Sequence, residues 1–172
     1  NGTYRFDVTA ITPSASYCEA FNLIRPFAPG IGATGPAISA RLDVKGQPLR
    51  PDTKFAIEIG MPDRAGWVQI DYFSGNDVLH AGLWAPRMGR PPATLPRSIQ
   101  LGAHEQTVIY EAVAGSAGED MVVVTTSREP IFAQPRPSEV ENAIEYLGAL
   151  RAAIGGKSPA AISAVAIPVI VQ

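Results

Sequence analysis

The chain has 172 residues, 46% hydrophobic and only 17% charged, with 16 glycines and 16 prolines. That length favours a single domain, residues 1–172, large enough to bury a core without disulfides or metal, and a charged fraction below the roughly 25% of ordinary domains excludes charge-driven disorder. Proline at about 9%, roughly twice average usage, argues against a helical bundle, and a net charge of −2 leaves no electrostatic footprint for nucleic acid.

The first residue is Asn1 rather than Met, so a processed protein or an excised piece of a longer one is expected. No basic leader precedes an apolar run, and no apolar stretch approaches the ~18 residues a spanning helix needs. Membrane insertion by this segment is therefore not expected.

In chain order, Tyr4, Phe6, Val8 and Ala10 alternate with polar residues and predict a half-buried strand. Ser14 or Ser16 then caps a short helix over about 15–25, with Tyr17, Ala20, Phe21, Ile24 and Phe27 at helical spacing and Pro26 as its stop. Cys18, the sole cysteine, lies in this helix. It reads as an inert buried thiol, or as the partner of a cysteine outside this segment. Residues 29–36 are a Gly/Pro loop.

Alternating strands follow at 38–44, 55–59 and 67–73. Ser74-Gly75-Asn76-Asp77 has the composition of a hairpin turn, and 78–84 is its returning strand. Pro86, Pro91, Pro92 and Pro96 with Arg87 and Arg90 make a surface loop. Short strands follow at 98–101 and 107–112, and the run 121–126, with three consecutive valines, predicts a strand buried on both faces. A long helix over about 138–154 is capped by Ser138 and ended by Gly155-Gly156, with an apolar stripe of Val140, Ala143, Ile144, Leu147, Leu150, Ala153 and Ile154. The apolar run 160–171, interrupted by Pro168, is a buried strand.

Eight or nine short strands with one short and one long helix predict a mainly β fold with α: a largely antiparallel β-sandwich with the helices packed on it.

Chemistry-bearing constellations are few. His80 and His104 lack ligand-spaced partners, so no metal and no cofactor is expected. His80 sits where Asp71 or Asp77 can pair with it across the hairpin, as a satisfied strand histidine. Asp71 and Glu58, placed on neighbouring strands, offer a carboxylate pair for hydrolysis, yet such pairs are common on exposed sheets. Ser127 lacks a nucleophile elbow, and Gly30-Ile31-Gly32 with Gly35 lacks the Lys-Ser/Thr ending of a phosphate loop.

A binding surface is what remains. Trp67, Tyr72, Phe73, Trp84 and Tyr110 fall on strands near the Arg87/Arg90 loop. Core packing explains many of these aromatics, whereas aromatic faces beside arginines also suit a sugar, a peptide or a protein. The candidate ligand-binding set is Trp84, Arg87, Arg90, Trp67, Tyr72 and His80.

From Gly46-Gln-Pro-Leu-Arg-Pro51 through Phe55-Ala-Ile-Glu-Ile59, Gly66-Trp-Val-Gln-Ile-Asp-Tyr-Phe73, Asn76-Asp-Val-Leu-His80 and Leu83-Trp-Ala-Pro86, the sequence resembles the DUF4384 family of bacterial domains. Ile99-Gln-Leu-Gly102 and Met121-Val-Val-Val-Thr-Thr-Ser127 fit its later strands, so the resemblance spans about 46–132. Arg87, where the family has asparagine, and the segment 114–119 depart from its pattern. Domains of this kind are accessory modules of bacterial Ser/Thr kinases, caspase-like peptidases and envelope proteins. The resemblance therefore implies a non-catalytic sensor or interaction role, in a periplasmic or otherwise extracytoplasmic setting, with a protein, peptide or cell-wall glycan as partner. A hydrolase using Asp71, His80 and Glu58, or a purely structural oligomerisation domain, is the alternative.

Overall fold

The computed structural model describes residues 14–28, 39–43, 49–51, 54–60, 67–80, 98–101, 112–113, 118–134, 136 and 139–172. The strand expected at 4–10, the loop 29–36 and the Pro/Arg loop around 86–96 lie outside them.

The hairpin organises the larger sheet. β3 (Trp67–Ser74) turns through Gly75, at φ +56°, into β4 (Asp77–His80). That φ lies in the left-handed region that favours glycine, which is why the turn composition was legible. β7 (Gly118–Ser127) pairs with the other side of β3, and β9 (Ile162–Val171) pairs with β7 along its full ten residues. β8 (Val140–Asn142) adds a short edge to β4. The result is a five-stranded antiparallel sheet in the order β8-β4-β3-β7-β9. β1 (Ser39–Asp43), β2 (Lys54–Gly60), β5 (Ser98–Leu101) and β6 (Ala112–Val113) form a smaller antiparallel sheet around β2. Leu49 makes a parallel bridge to Val171.

Two helices complete a mixed, mostly antiparallel β fold with α. α1 (Ala15–Ile24) begins at Ser14, whose hydroxyl accepts from the Tyr17 amide, and runs into a 3₁₀ turn, Arg25–Phe27. It presents Ser16, Ala20 and Ile24 inward. Cys18 lies about half a turn away from that row and is exposed, so the buried-thiol reading is wrong.

α2 (Ala143–Ile154) is shorter than predicted. Residues 140–142 are taken by β8, because the edge of β4 offers their backbone a ladder: the His80 amide donates to the Glu139 carbonyl at 2.8 Å. The cap is Asn142, not Ser138; its side-chain oxygen accepts from the Ile144 and Glu145 amides. The buried stripe is accordingly Ala143, Tyr146, Leu147, Leu150 and Ile154, whereas Val140 and Ile144 are 51% and 70% exposed. Substituting Asn142 by alanine is expected to destabilise the protein by about 1 kcal/mol, read from denaturant melts.

The helices cover one face of the sheet, burying Phe73, Val78, Met121, Val123, Ile162 and Ala164 against Ala20, Ile24, Phe27, Tyr146 and Leu147. The opposite face is buried too: Val68, Ile70, Val122, Val124 and Val169 are at most 1% exposed. The valine run of β7 is thus buried on both faces, as its composition predicts. β9 lies at the end of the sheet order, and its Pro168 is exposed; an edge strand tolerates a residue with no N–H.

Candidate functional site

Alternation along β3 sends Gln69, Asp71 and Phe73 to the helix-covered face and Val68, Ile70 and Tyr72 to the other. Two polar side chains therefore enter an apolar layer. Across the hairpin, Asp71 is registered opposite His80. β8 places Glu141 opposite Val78, diagonal to His80 on the same face. Tyr146, one turn into α2, comes down onto this group and is wholly buried.

These residues saturate one another. His80 Nδ1 lies 2.8 Å from Asp71 Oδ1, and His80 Nε2 lies 2.8 Å from Glu141 Oε1. The second Asp71 oxygen accepts from the Tyr146 hydroxyl and from Gln69 Nε2, the latter at 2.7 Å. The same Gln69 nitrogen also donates to the Tyr146 hydroxyl. Arg136 donates through Nε to Glu141 Oε1 at 2.8 Å and through a terminal nitrogen to Glu141 Oε2. Its guanidinium lies over the Phe132 ring, 5.1 Å from the centroid, a cation–π contact that holds the fork in place. Gln69 Oε1 is buried without a partner. Rotating the amide would set that oxygen against the Asp71 carboxylate, so the repulsion fixes its orientation.

With a carboxylate facing each ring nitrogen, the doubly protonated form of His80 is the one that can donate to both. Burial opposes its charge, but the hydrogen bonds and charges of Asp71 and Glu141 outweigh that and raise its pKa above the ordinary 6.5. Burial likewise opposes the Glu141 carboxylate, yet Arg136 and His80 together hold it below the ordinary 4.5. Burial first, then the Asp71 charge, pushes the Tyr146 hydroxyl well above 10. Charges alternate along Asp71, His80, Glu141 and Arg136, so the chain of four is neutral overall.

Such an arrangement is ill suited to general acid–base work. Asp71 and His80 are 1% and 4% exposed, beneath Tyr146, and their hydrogen-bonding positions face one another. A general base must come within reach of a substrate proton. Glu58 does not join them: β2 carries it in the smaller sheet, registered with Arg41 and Gln100, so the two strands are not neighbours as expected. Ser127 is spent as well, its hydroxyl donating to the Glu129 carbonyl at 2.6 Å. Among the described residues no three His, Cys, Asp or Glu side chains stand together as metal ligands.

Of the sequence-derived binding set, His80, Trp67 and Tyr72 lie within the described residues and do not share one surface. His80 is buried rather than on a surface. Trp67 is half-buried on the helix-covered face, while Tyr72, five residues on, takes the other face and donates its hydroxyl to Asp120. Five is an odd separation, which is why one strand cannot present both on one surface. Phe73 is core, 2% exposed. Trp84, Arg87, Arg90 and Tyr110 lie outside the described residues.

One open concavity of about 220 Å³ lies at the end of β7 and β9, with Ser127, Arg128, Ile131, Lys157 and Ile162 among its lining. Trp67 is registered opposite Ser127 in the sheet but does not line the concavity.

Sequence reasoning found Asp71 and His80 but missed Gln69, Arg136, Glu141 and Tyr146. The available signal was in β3, where Gln69 and Asp71 share a face with Trp67 and Phe73. Two polar side chains between aromatics on one face require buried partners. Compared with family models, curated proteins and solved structures, the chain gives no match. No helix among the described residues is long and apolar enough to cross a membrane.

Proposed function

We propose that this chain is a non-catalytic binding module of a larger bacterial extracytoplasmic protein, and that it takes an extended peptide or protein segment. The observation that carries the reading is a contrast. Among the described residues, the Asp71, His80 and Glu141 side chains are buried and mutually paired, while the concavity at the end of β7 and β9 is open and lined by Arg128 and Lys157. At about 220 Å³ it falls below the roughly 300–1,000 Å³ of small-molecule sites. That size suits one side chain or terminal group of a longer partner better than a whole sugar chain. Two cations against Glu129 favour an acidic or carboxylate-bearing group.

The DUF4384-like resemblance over about 46–132 supports the accessory role and the extracytoplasmic setting. The finer architecture belongs to the same proposal: the smaller sheet backs the helix-free face of the larger one as a β-sandwich. Burial of Ile57 and Ile59 on one face of β2, together with Val68, Ile70 and Val124, supports it.

A binding screen against acidic peptides and cell-wall glycans tests the reading, with intrinsic tryptophan fluorescence as readout. Peptide binding is expected to weaken about ten-fold in Lys157→Glu, a change of ~1.4 kcal/mol. Trp84→Ala and Arg87→Ala report on whether the Pro/Arg loop shares the surface. Binding of glycans alone, or peptide binding indifferent to all three variants, would overturn the proposed partner.

A further inference from the structure

The short strand β8 is held in an unusual way. β8 has only three residues, and its ladder to β4 pairs Asp77 with Asn142, Val78 with Glu141 and Leu79 with Val140. A ladder that short is weak on its own. Beneath it, Glu141 binds His80 on one side and Arg136 on the other. We propose that β8 forms a releasable clasp on the edge of β4, closed by the His80 imidazolium and opened when His80 loses its proton.

The argument rests on donor counting. A neutral imidazole has one N–H and one bare lone pair. His80 faces Asp71 from β3, Glu141 from β8 and the Tyr146 ring from α2, 4.8 Å between centroids, with Arg136 behind Glu141. Once neutral, it can donate to only one carboxylate. Asp71 is 1% exposed, fixed in a central strand and already bound to Tyr146 and Gln69. The remaining proton therefore stays on Nδ1, and the Nε2 lone pair turns against Glu141. That repulsion falls on the edge strand, which has the shortest ladder in the larger sheet to resist it. Glu141 keeps Arg136 as a partner and can move outward with it. Release bares the backbone edge of β4, from Asp77 to His80, to solvent.

The direction follows from linkage. His80 has its pKa raised on folding, so its contribution is complete below 6.5 and is lost as pH rises through the folded value. Glu141, lowered on folding, contributes fully above 4.5 and loses its contribution as pH falls through its folded value. The clasp is therefore tightest between those two ordinary values and opens on the alkaline side through His80.

Amide hydrogen exchange across the histidine's titration tests this, corrected for the intrinsic pH dependence of exchange. The His80 amide, bonded to the Glu139 carbonyl, is expected to lose protection. The loss is about ten-fold for each unit by which closing the clasp, rather than folding as a whole, raises the histidine's pKa. Amides between β3 and β7 should hold theirs. Glu141→Gln supplies an N–H for the bare lone pair, so it should abolish the alkaline loss. Unchanged protection of His80 while its ring titrates, equal loss throughout β3 and β7, or an undiminished alkaline loss in Glu141→Gln would each overturn the clasp.

Discussion

Replacing Asp71 by alanine is expected to lower the unfolding free energy by about 3–5 kcal/mol, the range for breaking a buried ion pair by removing one partner. The carboxylate is 1% exposed and accepts three hydrogen bonds, from His80, Tyr146 and Gln69. Its removal leaves an imidazolium at 4% exposure with one counter-charge instead of two. The Tyr146 hydroxyl and the Gln69 amide also lose their acceptor. The change should be read by chemical denaturation between the ordinary pKa values of Glu141 and His80, where the network is complete. The companion double variant, Asp71→Ala with His80→Leu, is expected to recover part of the loss, because an apolar pair in place of a buried ion pair is often neutral. The coupling energy between the two positions should fall within about 0.5–3 kcal/mol, as for residues in contact. Additive losses in the double variant would mean that the two side chains act separately, contrary to the 2.8 Å contact between them.

The same network shows what the sequence made legible. Strand periodicity and turn chemistry are local, so the hairpin at Gly75, the doubly buried valines of β7 and a serine cap at 14 or 16 could be read from a few adjacent residues. The pairing of Asp71 with His80 was also local, because a tight hairpin fixes register within a few positions. Glu141 lies 61 residues from His80, and Tyr146 lies 75 from Asp71. Nothing in either neighbourhood announces those contacts. The start of α2 was misplaced for a related reason: Val140 and Ile144 continue an apolar helical stripe by spacing, but the vacant edge of β4 claims residues 140–142 as strand. Tertiary pairing overrode the local signal, and Asn142, an excellent cap in its own right, then set the helix start. Cys18 failed differently. Its apolar neighbours Tyr17 and Phe21 are themselves at the margin of the core, Phe21 being 43% exposed, so composition around the thiol misjudged which side of α1 faces inward.

Tyr146→Ala is expected to be comparably severe, at about 3–5 kcal/mol, the range for truncating a buried aromatic. The side chain is wholly buried among Phe73, Phe132 and His80, with ring centroids 6.0, 5.8 and 4.8 Å away. It also seats α2 on the sheet, so its loss opens a cavity where the helix, the hairpin and Phe132 meet. Tyr146→Phe separates the two contributions, because it keeps the ring and removes only the hydroxyl. That hydroxyl donates to Asp71 and accepts from Gln69, so the phenylalanine variant should lose about 1–3 kcal/mol, the penalty for stranding buried polar partners. The difference between the two variants measures packing alone. Equal losses would place the whole contribution in the hydroxyl, and a neutral Tyr146→Phe would show that Asp71 is held by His80 and Gln69 without it. Because the ring also shields His80 from water, Tyr146→Ala should admit solvent to the imidazolium and weaken the hold of both carboxylates. The alkaline fall in stability, which His80 contributes through its raised pKa, is then expected to shrink in the alanine variant and to persist in the phenylalanine one.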